Sequence, residues 1–409
     1  MAKVKIQGHA SGSGVITVTA PNTSTNRTIT LPDATATIAT TAATDALTAT
    51  TNTLTTRVNG ASGKKNLIIN GAMQVAQRGA SKSGYTAGGY HTCDRWIHDK
   101  AAATGTFTMT QEADAPVGFK NSLKVNCTTV GSSGSYNAIQ TRLESQDTAH
   151  LAYGTSSAKA VTLSFWVKVS QTGNQQMNLI HHADAGSRQI SFVYTINQAN
   201  TWEKKTVTFP GDTARVGDDD TTVGFYLEWF LSSYSGRTGS AVLTSWGAYT
   251  NAARFEGATI SIGDSTSDTW QITGVQLEEG SVATDFEGRS YGQELTLCER
   301  YYETSMTHGD LSQYQGQQPV PGLASATYGA TASSAGGRQF RTWKRATPTV
   351  TIYHQDGTSG GVYLIHNAAK ITGVTASHIN QNGFLFISKS SGFNSGYYYY
   401  YGITVDAEL

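Results

Sequence analysis

Short runs of alternating apolar and polar residues fill the middle of the chain, and Gly, Asn and Asp separate them. The run Val161–Val169 shows this most clearly, because every second residue is apolar and falls on one face of a strand. The predicted strands are Gly105–Thr110, Ser122–Cys127, Ala138–Leu143, Ala160–Val169, Gln189–Ile196, Glu203–Phe209, Thr222–Phe230 and Thr269–Leu277. Their regular spacing predicts an all-β fold over residues 63–302, an antiparallel β-sandwich or jelly roll.

A second set of strand-like runs follows a passage rich in Gly, Ser, Gln and Ala at 309–337. These runs are Arg338–Tyr353, Gly361–Ile365, Lys370–Val374, Gly383–Lys389 and Gly396–Val405. They predict a small distal β domain over residues 303–409. The last run contains five consecutive tyrosines, Tyr397–Tyr401, which alternate between the two faces of a strand. One face can pack in a core while the other is offered outward.

The first 62 residues follow a different pattern, in which small or apolar residues alternate with Thr. Short strands are predicted in an arm over 1–40. In a stalk over 41–62, Leu47 and Leu54 lie seven residues apart, and Thr51 and Val58 occupy the alternate seam positions. This spacing is that of a short coiled coil, at which identical chains associate. The many Thr residues instead favour an extended stalk, and both alternatives describe a thin connector.

The aromatic residues are unevenly distributed, since the 7 Trp, 20 Tyr and 13 Phe all lie from Tyr85 onward. A segment without large side chains cannot bury enough apolar area to fold alone. We therefore expect the arm to intertwine with identical chains or to dock on a larger assembly. Only 14% of the residues are charged, which suits extensive burial between chains because charges are depleted at interface cores.

Charge and apolar runs exclude several classes of protein. The 29 basic and 29 acidic residues cancel and form no basic stripe, so nucleic acid is not an expected partner. No run reaches the ~18 apolar residues of a membrane span, and the start lacks the apolar block of a signal peptide. Cys93, Cys127 and Cys298 have neither pairing nor metal-ligand spacing, which predicts reduced thiols and synthesis in a cytoplasm.

Two motifs at the ends of the middle domain carry a resemblance to a known family. The stretch Asn66–Gly79, reading NLIINGAMQVAQRG, closely resembles the opening of a domain found in tail fibres and related structural proteins of tailed bacteriophages. Tyr90 and the triplet 94–96 (Asp-Arg-Trp) match the element that follows in that family. The stretch Gln276–Glu287 is similar to the closing strand and turn, and 288–302 looks like the short helix after it.

Weaker resemblances extend over more of the chain. The runs Ser164–Lys168 and Thr201–Gly211 resemble strands of carbohydrate-binding-module-like jelly rolls. Residues 14–40 resemble phage fibre attachment segments, and 345–351 and 403–409 resemble the distal domains of the same phage proteins. These similarities agree with the all-β pattern.

The resemblance implies a non-enzymatic virion protein, a tail fibre assembled in the host cytoplasm as an intertwined homotrimer. Residues 1–40 would bind other virion proteins. The C-terminal β domains would bind a host-surface glycan or lipopolysaccharide, without inserting into the membrane.

No catalytic grouping or cofactor motif stands out in the sequence. Phosphate-binding Gly loops, His-Glu-x-x-His and Cys-x-x-Cys are absent. His181 and His182 are adjacent, so on a strand they would point to opposite faces and not share a metal. The triplet Asp218, Asp219 and Asp220 offers hard oxygen ligands that suit a structural Ca²⁺, or it is simply a solvated turn.

Glycan binding is the surface chemistry that the distal domain suggests. Sugar rings stack on aromatic side chains, and their hydroxyls suit Asn, Gln, Asp and Ser. The candidate residues are His378, Asn380, Asn382, Phe393, Asn394, Tyr398 and Tyr400. Because aromatic residues are often buried, the same stripe also suits a core.

Three other functions stay open at this point. One is a capsid-attached fibre, decoration protein or tail adaptor without receptor contact. Another is a polysaccharide-degrading tailspike, which needs two carboxylates about 5–10 Å apart in a groove. The third is a carbohydrate-binding module of a cellular enzyme.

Overall fold

The computed structural model describes residues 65–101, 105–131, 136–233, 236–306, 333–364, 368–389 and 399–409. The predicted arm and stalk, with Leu47, Thr51, Leu54 and Val58, lie outside these residues. Their assignment as attachment arm and association stalk stays a prediction.

Two antiparallel sheets form the middle of the chain. Their strands are β1 (Ser81–Tyr85), β2 (Gly89–Tyr90), β3 (Trp96–Lys100), β4 (Thr106–Glu112), β5 (Ser122–Thr129), β6 (Tyr136–Glu144), β7 (Val161–Val169), β8 (Gly173–His181), β9 (Arg188–Ile196), β10 (Glu203–Phe209), β11 (Val223–Ser233), β12 (Gly247–Ala248) and β13 (Thr269–Glu279). The six-stranded sheet has the order β1-β4-β5-β13-β7-β10, and the seven-stranded sheet has the order β12-β9-β8-β11-β6-β3-β2. The predicted all-β fold is confirmed.

The core lies between the inner faces of these two sheets. The five alternate residues of β7, from Val161 to Val169, are fully buried there, as the pattern predicts. Phe165 and Trp229 meet edge to face across the core, with ring centroids 5.5 Å apart. Trp96, from the Asp-Arg-Trp triplet, packs on Trp229 at 5.6 Å. Burial of such large rings is the main stabilising contribution to the sandwich.

Strand β8 was not predicted, although it lies in the middle of the seven-stranded sheet. Its sequence begins GNQQMN, and Gln175, Gln176 and Asn178 are all fully buried. Polar residues on both faces hide the two-residue alternation by which strands are found. They are tolerated because each finds buried hydrogen-bond partners.

The opening motif of the middle domain has a structural role. Asn70 adopts φ 58°, and its side chain donates to the carbonyls of Val75 at 2.8 Å and Asp94 at 2.9 Å. Next to it, a Cβ on Gly71 would lie 2.1 Å from the carbonyl oxygen of Val275, so only glycine fits. The motif therefore ties the start of the domain to its closing strand β13.

One α-helix follows the sandwich, at the place the resemblance implies. Helix α1 (Tyr291–Glu299) begins at Ser290, whose side chain and that of Gln293 form a capping box. It packs Cys298 into a small core with Ile69, Val75 and Tyr301. Among the described residues, no helix is long and apolar enough to cross a membrane.

Three small sheets follow the helix. Their strands are β14 (Tyr302–Thr304), β15 (Ser333–Gln339), β16 (Thr349–Tyr353), β17 (Gly361–Leu364), β18 (Ala369–Thr372), β19 (Thr375–Asn380), β20 (Gly383–Lys389), β21 (Tyr399–Tyr400) and β22 (Gly402–Asp406). They pair as β14-β22-β16, β15-β20-β19 and β18-β17-β21. Tyr399 and Tyr401 lie in their shared core and Tyr400 is half-buried, so the predicted alternation is confirmed for these three tyrosines.

Strand pairing and a buried ion pair hold the region after the helix together. Strand β14 spans the predicted division at residue 303 and pairs with β22. Beneath it, Lys344 donates to Glu303 at 2.8 Å, and both side chains are fully buried. The division into jelly roll and distal domain stays a prediction.

Candidate functional site

The outward face of the seven-stranded sheet is polar. Alternation along β6 and β11 places Gln140 and Glu228 on this face, directly opposite each other, and Asn178 of β8 continues the row. Glu228 and Asn178 are fully buried and Gln140 nearly so. Buried polar side chains on the outside of a sandwich require a cover, and a segment between β11 and β13 supplies it.

That covering segment, residues 236–262, closes half of the face. Its Arg254 donates through Nε to Glu228 Oε1 at 2.9 Å and through Nη2 to Oε2. Asn178 donates to Glu228 at 3.1 Å and to the carbonyl of Arg254 at 3.0 Å. Gln176 donates to the carbonyl of Ala253 at 2.7 Å. The side chains of Glu228, Asn178 and Gln176 in this covered half therefore all have protein partners.

The other half stays open as a depression of about 280 Å³, here called the sheet-face pocket. Its lining includes Asp99, Gln140, Arg142, His182, Tyr226 and Tyr249, with Arg254 at the border of the covered half. Arg142 and Tyr226 are cross-strand partners, which sets their side chains side by side. Tyrosine rings and hydrogen-bonding groups thus meet in one concave surface.

Hydrogen bonds fix the orientation of the polar groups in this pocket. Gln140 donates to Asp99 Oδ2 at 2.9 Å and to Glu228 Oε2 at 2.8 Å. Its own Oε1 accepts from Arg142 at 3.0 Å, and Asp99 Oδ1 accepts from Tyr136 at 3.2 Å. A pre-oriented set of donors and acceptors loses little conformational entropy when it binds a ligand.

The electrostatics of the pocket keep its hydroxyls neutral. Burial, followed by the charge of Glu228, raises the pKa of Asp99 and that of Tyr226 above their ordinary values. Burial also raises the pKa of Tyr249. Both phenols therefore remain protonated donors at neutral pH, while Asp99 stands beside a second carboxylate that a ligand cannot reach.

A larger depression of about 590 Å³, here called the junction groove, lies between the sandwich and the β14-β22-β16 sheet. Thr304, Thr404 and Thr351 form a row across the three strands at its floor. Tyr90 and Tyr353 belong to its lining on the sandwich side and the distal side. Hydroxyls and half-buried aromatic rings therefore meet here as well.

The charges of the junction groove are largely paired. Arg78 contacts Asp406 at 3.3 Å and Glu408 at 3.3 Å, and its guanidinium lies 3.5 Å over the ring of Tyr302. Burial is the main cause that lowers the pKa of His91, so its ring is neutral at pH 7. The groove suits a neutral, hydroxyl-rich ligand better than a strongly charged one.

Of the distal residues predicted to bind glycan, the structure describes His378, Asn380, Asn382 and Tyr400. Asn380 accepts from the backbone of Asn382 and Gly383 and so holds the β19–β20 turn. The ring of His378 lies on that of Phe386 at 4.9 Å. Tyr400 faces Tyr363 on β17, a neighbour that the sequence did not indicate. Phe393, Asn394 and Tyr398 lie outside the described residues.

The acidic triplet makes hydrogen bonds within its own loop and to two neighbouring segments. Asp218 accepts from the backbone of Asp184 at 3.0 Å, and Asp220 accepts from the backbone and hydroxyl of Thr222. The backbone of Asp219 donates to Ser145 at 2.9 Å. Among the described residues, no three His, Cys, Asp or Glu side chains form a group that could hold a metal ion. The calcium hypothesis stays a prediction without support from this geometry.

The two adjacent histidines point to opposite faces, as predicted. His181 is buried against the rings of Tyr153 and Phe225 and lies 3.3 Å from Asp212. His182 belongs to the lining of the sheet-face pocket. Sequence reasoning missed the pocket because its residues come from strands far apart in the chain, and no local motif marks them.

Comparisons with known proteins found similar solved structures at low sequence identity. The chain matches no family model and no curated protein. The enzymatically active domain of tailspike protein 4 of bacteriophage CBA120 is similar at 13% identity and TM-score 0.29, over 53% of this chain. The match spans only 21% of that tailspike chain.

Carbohydrate-binding modules are also among the similar structures. The family 11 module of a Clostridium thermocellum cellulosomal cellulase matches at 10% identity and TM-score 0.27, over 49% of this chain and 96% of the module. The module TmCBM61, solved with β-1,4-galactotriose, matches at 8% identity and TM-score 0.27, over 53% and 99%. Likeness at this level says nothing of what this chain binds.

Proposed function

We propose that this chain is a non-enzymatic tail fibre of a tailed-phage virion that binds a glycan on the host surface. The virion assignment is supported by the motifs at 66–79, 94–96 and 276–287, which resemble phage fibre domains. The observation that carries glycan binding is the sheet-face pocket, with its fixed polar groups and its two tyrosines.

The chemistry of the pocket suits a saccharide. Arg142 offers donors, Asp99 offers an acceptor, and the rings of Tyr226 and Tyr249 offer apolar surface for the CH groups of a sugar. A hydroxyl between Asp99 and Arg142 would accept from one side and donate to the other. Such a site binds neutral sugars without needing a metal.

The same geometry supports a binding role over hydrolysis. Glycoside hydrolysis needs two carboxylates that both reach the scissile bond. Asp99 is 28% exposed, but its neighbour Glu228 is fully buried under Arg254. Among the described residues that line the pocket, Asp99 is the one carboxylate. Reducing-sugar release from host polysaccharide by the purified chain would contradict this part of the proposal.

Adsorption competition tests the proposal directly. Purified full-length chain, added to host cells before phage, should block adsorption in a concentration-dependent way. The Tyr226→Ala variant should lose this effect, and the matched Tyr363→Ala variant, outside the pocket, should retain it. Failure of the wild-type chain to compete would favour a decoration protein or adaptor without receptor contact.

The assembly part of the proposal concerns residues 1–62. We propose that the chain is a homotrimer whose arm at 1–40 joins it to other virion proteins. Light scattering of the full chain should give three copies. A chain lacking 1–62 should stay folded but fail to enter particles, and normal incorporation of that truncated chain would overturn the anchor assignment.

A further inference from the structure

The sheet-face pocket and the junction groove lie on the same side of the molecule. Tyr90 of β2 pairs with Ile97 of β3, and Ile97 pairs with Gln140 of β6. Side chains in one cross-strand row point to the same face of a sheet, so this row runs from a groove residue to a pocket residue. Strands β3 and β6 lie between β2 and β11, so three inter-strand spacings of about 4.8 Å give a span of roughly 15 Å.

A single backbone oxygen accepts a hydrogen bond from one residue of each depression. Arg142, in the pocket, donates to the carbonyl of Leu409 at 2.6 Å, and Tyr90, in the groove, donates to the same carbonyl at 3.0 Å. Residues 406–409, here called the closing segment, therefore form the boundary between pocket and groove.

The closing segment is anchored well enough to act as a fixed ridge. Arg345 donates to the carbonyls of Ala407 and Glu408, each at 2.6 Å. Arg95, which is fully buried, pairs with the Glu408 carboxylate, and its guanidinium stacks 3.5 Å over Tyr301. A ligand that crosses this ridge would meet a preformed surface rather than a loop that must first be ordered.

We propose that the pocket and the groove form one track for a single extended, hydroxyl-rich saccharide chain. This inference rests on the proposed function and names the form of its ligand: several linked sugars, with one part in the pocket and the next over the threonine row. Thr404 and Thr351 supply hydroxyl donors and acceptors, and Tyr353 supplies a ring. The hydroxyl of Thr304 is held by the carbonyl of Ile403 and the backbone N–H of Met306. Linked subsites make the second contact intramolecular, so affinity rises steeply with ligand length.

Saccharide fragments of graded length test the track. The probe is partially hydrolysed, size-fractionated surface polysaccharide of the host, titrated calorimetrically into the full-length chain. Long fragments should bind at least about tenfold more tightly than short ones. Tyr353→Ala and Thr351→Val should reduce the affinity of long fragments towards that of short fragments and leave short-fragment binding unchanged.

Controls separate this inference from the proposed function. Trp343→Ala and Thr195→Val change exposed residues outside both depressions and should bind every fragment as the wild type does. If affinity is independent of length while Tyr226→Ala abolishes binding, the track is wrong and the pocket stands. If Tyr353→Ala weakens short and long fragments equally, the division into two linked subsites is wrong. If no fragment binds, both proposals fail.

Discussion

The covered and open halves of the seven-stranded sheet's outward face carry the same kinds of side chain in opposite environments. In the covered half, Glu228 and Asn178 are sealed by the segment that carries Arg254. In the open half, Asp99, Tyr226 and Tyr249 line a pocket on the same strands or beside them. Polar residues on the outside of a strand therefore do not mark a binding site. The path of the covering segment decides which of them meet a ligand.

The largest expected effect is in the covered half. Glu228→Gln removes the charge partner of buried Arg254 and should lower the free energy of unfolding by about 3–5 kcal/mol. Chemical denaturation measures it. Glu279→Gln is the control, because its ion pair with Lys159 is 43–45% exposed and should contribute about 1 kcal/mol or less. If both variants lose the same free energy of unfolding, buried and exposed ion pairs contribute equally and the comparison is wrong.

The second expected effect is a pH dependence of the free energy of unfolding, caused by burial of the Asp94 carboxyl group. Burial raises the pKa of Asp94 to about 6, although the charge of Arg78 and the hydrogen bond from Gln77 act to lower it. The folded state then binds more protons than the unfolded state, so this stabilising contribution is complete below about pH 4 and is lost as pH rises through 6.

Asp94→Asn has no such loss. Relative to the wild type, its free energy of unfolding should rise by roughly 2 kcal/mol between pH 4 and pH 7, since one pKa unit corresponds to about 1.4 kcal/mol. Urea denaturation at several pH values measures this difference. A difference that is flat across the range would mean that the pKa of Asp94 is the same in the folded and unfolded states.

In the open half, binding should suffer more than stability. Asp99→Asn keeps the size of the side chain but removes a charged acceptor, which should weaken saccharide binding by roughly tenfold or more. The free energy of unfolding should change by about 1 kcal/mol or less, because the change also relieves repulsion from Glu228. Calorimetric titration and denaturation of one preparation separate the two quantities. Unchanged binding with a large loss of stability would mean that Asp99 has a structural role, like the buried polar groups of the covered half.

The smallest effect is expected at the acidic loop, because the carboxylates of Asp218 and Asp220 already accept hydrogen bonds from the backbone N–H groups of Asp184 and Thr222. Treating the chain with a chelator should shift the melting temperature by less than about 2 °C. The measurement is a thermal melt with and without added Ca²⁺. Stabilisation by several degrees on adding Ca²⁺ would show that Asp218 and Asp220 can turn to bind it.

The sequence pattern was sufficient to predict a strand and its buried face where buried apolar residues alternate with polar or less buried ones. The face of β7 and the alternation of Tyr399, Tyr400 and Tyr401 follow from the two-residue period alone. Strand β8 could not be found in this way, because the covering segment buries its outward glutamine and asparagine side chains.

The candidate site depends on contacts that no local pattern contains. Arg142 and Tyr226 are 84 positions apart in the sequence numbering yet adjacent in the sheet. Tyr363 meets Tyr400 only because β17 pairs with β21. The distal polar residues were chosen for composition, and one of them, Asn380, serves a turn. Pairing across long separations, rather than residue type, assembles the pocket.

The pairing of Arg95 with Glu408 has a consequence for synthesis of the chain. The two residues are 313 positions apart, so at ribosomal rates of about 5–20 residues per second Arg95 waits roughly 15 to 60 seconds for its partner. Strand β14 likewise has no partner until β22 has been translated. A nascent chain interrupted before residue 402 keeps an unpaired strand edge and an uncompensated guanidinium, which are features that mark incomplete chains for aggregation or degradation. Completion of the β14-β22-β16 sheet, and of the ion pair between Arg95 and Glu408, is thus tied to translation of the last residues of this sequence.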